Sequence, residues 1–314
     1  MAGIGILLNR NAGKGRAFRG GIGAKLSFIL GDPTSLRETF EESEIETVAR
    51  LFLEREIDIL GIGGGDGSNQ RVLSTFINVY GNHPLPRVVF LRGGTHNACA
   101  RSIGLKGTPA GILERLVRKY HANERIETTS RSMLRLEDNG RVSYGFTMAT
   151  GFLYHFFERM HREQQDSPLK VASLIASLFG SFFARSKKID KMFNPPHTRI
   201  AAPGEALDWD SCNAIAASTM EQVGLGMRPF SRANETPSTF HALLFRIRPE
   251  RFVRVSWRLL RGRLENHAQH LSTVTDSLVI ESDEPIPYAL DGDLFRGGYR
   301  LKIGTGPRLK LVLV

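Results

Sequence analysis

Short, mainly apolar runs alternate with helical patterns in the first third of the chain. Ile4 to Leu8, Ile57 to Ile62 and Val88 to Leu91 are typical of buried parallel strands. Apolar residues recur at helical spacing over Ser43 to Arg55 and over Asn69 to Tyr80. Strand, loop and helix repeated in this order predict right-handed βαβ units around a parallel sheet.

From about Arg125 the pattern changes to short strand-like segments separated by turn residues. These segments are Ser132–Leu136, Val142–Met148, Thr198–Ala202, Asn213–Ala217, His241–Ile247 and Ser277–Ile280. Helical patterns at about 168–187 and 249–263 interrupt them, and the strand-like segment Tyr299–Val314 is predicted to return to the first domain. We therefore expect an α/β domain of residues 1–124 with 300–314. A mostly antiparallel β-sandwich of residues 125–299, with helical insertions, would follow it.

Composition and charge narrow the class of protein. The 314 residues suffice for two domains, and 41% apolar with 24% charged residues is typical of a globular chain. Cys99 and Cys212 form neither a metal-ligand spacing nor a disulfide framework. No secretion signal or apolar membrane span is recognisable, so we expect a cytoplasmic protein. A net charge of +10 favours an anionic partner: nucleic acid, an anionic membrane or a polyphosphate ligand.

Glycine-rich loops follow all three predicted strands of the first domain. Ligands of open parallel sheets bind beyond the carboxyl ends of the strands, so the three loops predict one site. In the loop Gly63–Ser68, consecutive glycines let the backbone approach a ligand, and its N–H groups suit a phosphate. Asp66 within this loop indicates a bridging Mg²⁺ or a proton-accepting role. The alternative is a tight strand-to-helix turn with Asp66 as a cap.

The other two loops carry weaker signals. The first, with Gly13-Lys14-Gly15, lacks the spacing of a P-loop, and it indicates either a phosphate contact or a plain turn. In the third, Thr95 and Asn97 add side-chain donors behind Gly93-Gly94, with a helix cap as the alternative.

These loops resemble the motifs of the diacylglycerol kinase catalytic-domain family, which includes bacterial lipid kinases, sphingosine kinases and ceramide kinases. Its Gly-Gly-Asp-Gly-Thr motif corresponds to Gly64–Ser68, with serine in place of threonine. Its Gly-Thr-x-Asn-Asp motif corresponds to Gly94–Ala98, without the final aspartate. Its Asn-Pro-x-Ser-Gly loop agrees with Asn9–Gly13 at the first and last positions, and its late Asp-Gly-Glu motif resembles Asp291–Asp293. The motifs occur in the family's order along nearly the whole chain.

The resemblance implies a fold and a set of roles. The nucleotide domain is expected to be related to those of NAD kinase and phosphofructokinase, with a β-sandwich domain for the lipid. ATP and Mg²⁺ are the implied cofactors. The implied nucleotide-binding residues are Asn9, Gly13, Gly64, Gly65, Asp66, Gly67, Ser68, Gly94, Thr95 and Asn97, with Asp66 also the candidate metal ligand and catalytic residue. Asp293 stands where the family has its glutamate general base.

Asp293 and Ala98 are departures from the family pattern. Aspartate is shorter than glutamate by one methylene, so the loop that carries Asp293 would have to compensate. From the residues alone, Asp291-Gly292-Asp293 is also a favoured hairpin turn. A catalytically impaired nucleotide- or lipid-binding protein therefore remains an alternative.

Two segments suit a membrane surface. Residues 168–187 combine an apolar helical stripe with basic residues, as in an interfacial helix, although a core-packing helix is the alternative. Arginines and aromatic residues also interleave from Arg246 to Arg263, where the alternatives are nucleic acid and a solvated basic face. No nucleic-acid recognition motif occurs, and the sequence indicates no oligomeric state. We expect a lipid substrate and a peripheral contact with an anionic membrane, with an NAD kinase-like enzyme as the alternative.

Overall fold

The protein consists of two compact units, Met1–Arg131 with Pro307–Val314, and Ser132–Gly306. The computed structural model describes residues 3–10, 21–94, 97–162, 193, 198–201, 211–223 and 227–314. Residues 168–187, predicted as a helical insertion, lie outside this part of the chain. No helix of the described residues is long and apolar enough to cross a membrane.

The first unit is built on a parallel sheet. Its strands are β1 (Ile4–Asn9), β2 (Leu36–Thr39), β3 (Ile59–Gly63), β4 (Arg87–Phe90) and the end of β15 (Arg300–Leu313). Its helices are α1 (Ile22–Leu30), α2 (Glu42–Glu54), α3 (Asp66–Tyr80), α4 (Ala98–Ser102) and α5 (Pro109–His121). The strand order is β2-β1-β3-β4-β15, and every pair in it is parallel, with Leu311 of β15 opposite Val88. This confirms the α/β fold predicted from the alternating pattern.

Local sequence explains where the helices of this unit begin. In α2, the side chain of Glu44 accepts a hydrogen bond from the backbone N–H of Glu41 at 3.1 Å and closes a capping box. The predicted apolar face of α2, with Ile45, Val48, Ala49 and Phe52, is buried. By contrast, α3 begins at Asp66, three residues before the predicted start at Asn69, so Asp66 is a helical residue and not a loop residue.

The second unit contains two antiparallel sheets. Its strands are β5 (Glu127–Asp138), β6 (Arg141–Gly145), β7 (Thr147–Thr150), β8 (Thr198–Ala201), β9 (Ala214–Ser218), β10 (Phe240–Phe245), β11 (His270–Thr275), β12 (Ser277–Ser282), β13 (Tyr288–Leu290), β14 (Asp293–Phe295) and the first part of β15. Its helices are α6 (Phe152–Arg162) and α7 (Pro249–Leu260). One sheet has the order β11-β10-β9-β7-β13-β14, and the other contains β15-β12-β8 with the hairpin β5-β6. The helix predicted over 249–263 is therefore confirmed as α7.

The two sheets pack face to face as a sandwich. Leu244, Leu278 and Leu301, from different sheets, belong to one buried cluster between them. The opposite face of the six-stranded sheet is also apolar, and Phe152 of α6 and Phe252 of α7 pack on it with Phe245. The predicted antiparallel sandwich is thus confirmed, with a helical layer on one outer face.

The predicted strand Val142–Met148 is wrong in one respect, because two strands replace it. β6 ends at Gly145 and pairs with β5, whereas β7 begins at Thr147 and pairs with β9 and β13 in the other sheet. The break falls at Phe146, whose N–H bonds to the carboxylate of Asp291 and not to a neighbouring strand. The alternating pattern of residues 142–148 cannot reveal this change of sheet, because the acceptor at the break, Asp291, lies 145 residues away.

Candidate functional site

The first and second glycine-rich loops meet through a side-chain hydrogen bond. Asn9 is the last residue of β1, and its Nδ2 donates to Oγ of Ser68 at 3.0 Å. Ser68 lies in the first turn of α3 and is buried. Two predicted nucleotide-binding residues, separated by 59 positions in the chain, are therefore in direct contact.

The second and third loops cross with their backbones in contact. The N–H of Gly93 donates to the carbonyl of Gly64 at 2.8 Å. A Cβ added to Gly94 would lie 2.4 Å from Cα of Gly65, and one added to Gly65 would lie 3.3 Å from Cα of Gly94. Glycine is required at Gly94 because the obstacle is a backbone atom, which cannot move without displacing a loop.

The carboxylate of Asp66 joins these loops. Its Oδ2 accepts the backbone N–H of Ala98 at 2.9 Å, and its Oδ1 accepts that of Cys99 at 3.1 Å. Both donors lie at the start of α4, where N–H groups lack partners within the helix. Asp66 therefore holds α4 against α3. The predicted alternative, a cap in its own strand-to-helix turn, is wrong, because no side chain caps α3 and Asp66 is the first residue of that helix.

Asn97 closes the third loop on itself. Its Oδ1 accepts the N–H of Gly94 at 2.9 Å, and its Nδ2 donates to the carbonyl of the same residue at 2.6 Å. Its backbone has φ of +48°, a conformation that asparagine tolerates better than most residues. The Asn97 side chain thus shapes the loop. Thr95, like Gly13, lies outside the described residues.

The start of α3, in the first unit, has a geometry that suits the binding of an anion. Its N-cap is Gly65, and no side chain caps the helix. The first N–H groups of a helix have no acceptor within it, so those of Asp66, Gly67 and Ser68 are available for a phosphate. Asn9, Gly64, Gly65, Ser68, Gly94 and Asn97 surround this helix start through the contacts described above. A negatively charged group is also favoured there by the helix dipole.

In the second unit, Asp291 and Gly292 form the turn between β13 and β14. Their φ angles are +49° and +93°, and Leu290 pairs with Asp293 across the turn. Two positive φ angles in a two-residue hairpin are the geometry of a type I′ turn, for which Asp-Gly is a favoured pair. The hairpin foreseen from the residues alone is therefore confirmed. It places Asp293 at the first position of β14, where it is half-buried.

Asp291 anchors this hairpin, a role that the sequence analysis missed. Its carboxylate accepts the N–H of Phe146 at 2.9 Å and that of Thr147 at 2.8 Å, and its own N–H donates to the carbonyl of Thr147 at 2.8 Å. The hydroxyls of Thr147 and Ser218 are 2.8 Å apart beside it. The available signal was the Asp-Gly pair, which indicates a turn but not its long-range partner.

The described part of the chain offers a metal ion few ligands. No group of three or more His, Cys, Asp or Glu residues is arranged there to hold a metal. The described residues of the three loops contribute one carboxylate, that of Asp66. Each of its oxygens retains a lone pair beyond the N–H bond it accepts. This donor set fits an Mg²⁺ ion held mainly by phosphates and water, since Mg²⁺ usually needs one or two carboxylates.

The first unit is a parallel α/β domain with glycine loops at its strand ends, and the second unit is an antiparallel sandwich. The family model "Diacylglycerol kinase catalytic domain" matches residues 4–126. This match lies within the first unit, and it supports a kinase that uses a nucleotide.

Solved structures share the fold of the whole chain. The crystal structure of a diacylglycerol kinase from Bacillus anthracis str. Sterne has a TM-score of 0.65 and 12% identity, covering 100% of this chain and 97% of that one. Another structure from that strain reaches a TM-score of 0.70 at 14% identity, with the same coverage. Yeast NADH kinase complexed with NADH has a TM-score of 0.53 and 10% identity, covering 100% and 84%. No curated protein matches the chain.

Proposed function

We propose that the protein transfers the γ-phosphoryl group of ATP to a hydroxyl of diacylglycerol or a related lipid at a membrane surface. The observation that carries this proposal is the uncapped start of α3, surrounded by crossing glycine loops, in a diacylglycerol kinase catalytic domain. The reaction converts ATP and the lipid alcohol into ADP and a lipid phosphate, and it releases the hydroxyl proton.

The phosphates of ATP would lie at the start of α3. The N–H groups of Gly67 and Ser68 donate to phosphate oxygens there, and the dipole of the 15-residue α3 helix adds to the attraction. Asn9 holds the Ser68 hydroxyl in place through its 3.0 Å hydrogen bond. Phosphoryl transfer depends mainly on positioning and charge stabilisation, so this rigid arrangement is itself the main catalytic contribution of the first unit.

Asp66 would position the loops and help to hold Mg²⁺. Bonds to the N–H groups of Ala98 and Cys99 use one lone pair of each carboxylate oxygen. The remaining lone pairs would help to hold Mg²⁺. When bound, the ion would supply positive charge that neutralises the phosphates.

Asp293 would accept the proton of the lipid hydroxyl. A carboxylate within hydrogen-bond reach of the attacking hydroxyl acts as a general base, an effect that typically contributes about 10²–10⁴-fold to the rate. The type I′ turn and the anchor at Asp291 fix the backbone that carries Asp293. This anchoring would limit the movement of the backbone that carries the shorter aspartate side chain.

A kinase assay tests the proposal. The full chain is incubated with γ-labelled ATP, Mg²⁺ and vesicles containing diacylglycerol, monoacylglycerol, sphingosine, ceramide or phosphatidylglycerol, with NAD as a soluble acceptor. We expect one lipid to be labelled. The Asp293→Asn protein should lose at least about 100-fold in rate, whereas Asp293→Glu should retain activity because it keeps the base.

Thermal unfolding provides the control for this assay. Asp293→Asn should unfold near the wild-type temperature, since asparagine keeps the size of the side chain and one of its acceptor oxygens at this edge strand. Labelling of NAD without any lipid would replace the proposal with a soluble-substrate kinase. ATP binding with no labelled acceptor, or full activity in Asp293→Asn, would also refute it.

A further inference from the structure

Helix α7 of the second unit has two faces of opposite character. On one face, Phe252 packs edge-to-face against Phe152 at 4.7 Å and against Phe245 at 5.8 Å between ring centroids. Leu259 is buried in the same cluster. This apolar face fixes the rotation of the helix on the six-stranded sheet, so the opposite face has a defined composition and orientation.

The opposite face is basic and carries an exposed tryptophan. Arg254, Trp257, Arg258 and Arg261 are exposed and follow one another at helical spacing, and we call them the α7 basic face. Trp257 exposes 62% of its surface, which is unusual for the largest apolar side chain. The guanidinium carbon of Arg261 lies 4.0 Å from the centroid of the Trp257 ring, so a cation–π contact holds the ring on this face.

The charges of the α7 basic face are not neutralised by described residues. The ion pairs of the described chain include none to Arg254, Arg258 or Arg261. Residues 246–265 contain seven arginines and two glutamates, which gives this segment a net charge of +5. Along the sequence, Glu250 is the acidic residue nearest to the start of the α7 basic face. Arg251 is excluded from the face because its guanidinium contacts the ring of His267 at 2.6 Å.

We propose that the α7 basic face binds the surface of a bilayer that contains anionic phospholipids. Arginines attract the phosphate groups of such a surface, and each basic residue close to it strengthens binding about fivefold. Tryptophan is enriched at membrane–water interfaces, because its ring is apolar and its N–H remains hydrogen-bonded. This inference rests on the proposed function in one respect. A lipid kinase must reach its substrate in a membrane, and the α7 basic face would serve that contact.

A single-stranded nucleic acid fits this face less well. Its binding typically needs a groove with several aromatic rings on which successive bases stack. The α7 basic face is the convex side of one helix, with one ring that an arginine already covers. A shallow insertion of Trp257 among lipid headgroups requires only a flat contact, which a helix surface provides.

Vesicle sedimentation without ATP tests the proposal. Wild-type protein should bind vesicles of phosphatidylglycerol and phosphatidylcholine strongly, and pure phosphatidylcholine weakly. The double variant Arg254→Gln/Arg258→Gln should lose affinity by a factor on the order of 30. Raising the salt to about 0.5 M should weaken wild-type binding, since exposed charges are screened. The charge-matched control Arg118→Gln/Arg125→Gln, exposed positions of the first unit, should bind almost as wild type.

Trp257 fluorescence supplies a second readout. In a Trp209→Phe background, Trp257 is the remaining tryptophan of the sequence. Its emission should shift to shorter wavelength on vesicle binding because the ring leaves water, and brominated phospholipids should quench it because the ring comes to lie among them. Trp257→Phe removes both signals while retaining an aromatic ring, and thermal unfolding confirms that the variants fold. Phosphorylation of a water-soluble short-chain diacylglycerol should be unchanged in all these variants, which separates vesicle docking from catalysis.

Three outcomes would overturn the proposal. The first is equal vesicle binding by wild type and the Arg254/Arg258 double variant. The second is equal binding of the wild type to neutral and anionic vesicles. The third is Trp257 fluorescence that brominated phospholipids do not quench. Tight binding of a single-stranded oligonucleotide without vesicle binding would assign the face to nucleic acid instead. Vesicle binding in a protein that phosphorylates no lipid would leave this inference standing while refuting the proposed function.

Discussion

Replacing Gly94 by alanine would place a methyl carbon 2.4 Å from Cα of Gly65. Carbon atoms in ordinary contact are about 3.5–4.0 Å apart, so the crossing loops would have to separate by roughly 1 Å. The hydrogen bond from Gly93 to Gly64 and both bonds between Gly94 and Asn97 would be strained by this movement. Because the obstacle is backbone, no side chain can turn away to relieve the clash.

The expected cost follows from this geometry. Overpacking of a tightly packed site typically costs about 1–3 kcal/mol. For a unit of this size, the melting temperature should fall by roughly 3–9 °C. A displacement of about 1 Å at a positioning site can also reduce the rate on the order of 100-fold. A 100-fold loss of rate corresponds to about 2.7 kcal/mol, so the effects on turnover and on stability should be of similar size.

A graded series of alanine variants measures the effect. Gly65→Ala creates a contact of 3.3 Å with the same loop and should be milder, because a shift of a few tenths of an ångström relieves it. Gly304→Ala, whose added carbon would meet its nearest atom at 3.8 Å, is the matched control. Binding of a fluorescent ATP analogue and thermal unfolding should rank the three variants by these distances. Wild-type ATP affinity and melting temperature in Gly94→Ala would show that the loops do not cross as described.

Other predictions concern single side chains. Asp66→Asn leaves one acceptor for the N–H groups of Ala98 and Cys99, and it should cost about 1–3 kcal/mol in unfolding free energy with a larger loss of activity. Asp291→Ala removes two acceptor bonds at a position with φ of +49°, so it should lower stability by more than Asp291→Asn, which keeps one acceptor and tolerates that φ. Burial, assisted by the charge of Arg232, lowers the pKa of His241 to about 4 from an unfolded value of 6.5. The unfolded chain therefore binds more protons between these values, and about 2 kcal/mol of stability should be lost as the pH falls from 7 to 5.

Urea unfolding checks these three predictions. Equal stability of Asp66→Asn and wild type would show that the carboxylate does not hold α4. Equal losses in both Asp291 variants would contradict the anchoring role. His241→Gln should flatten the pH dependence while keeping a partner for the Ser272 hydroxyl, which lies 2.8 Å from the His241 ring. Burial and the charge of His267 also lower the pKa of His270. The stability of His241→Gln should therefore still fall with falling pH, with a smaller slope of the same sign. An unchanged slope in His241→Gln would refute the assignment.

Several features of the protein followed from local sequence. Apolar runs and helical spacing indicated the strands and helices around the parallel sheet, because burial on a strand or a helix repeats with the period of that element. Glycine loops after the strands indicated where a ligand would bind. The Asp291-Gly292 pair indicated its turn, since positive φ is a property of those two residues and their neighbours.

Only the tertiary structure decided what the polar side chains do. Asp66 meets Ala98 and Cys99 more than 30 positions away, and Asp291 meets Phe146 across 145 positions. These acceptors bind backbone N–H groups, which every residue except proline carries, so no side-chain pattern marks the partner. The split of 142–148 into two strands has the same origin. Sequence periodicity reports which face of an element is buried, whereas the crossing of distant loops depends on how the whole chain folds.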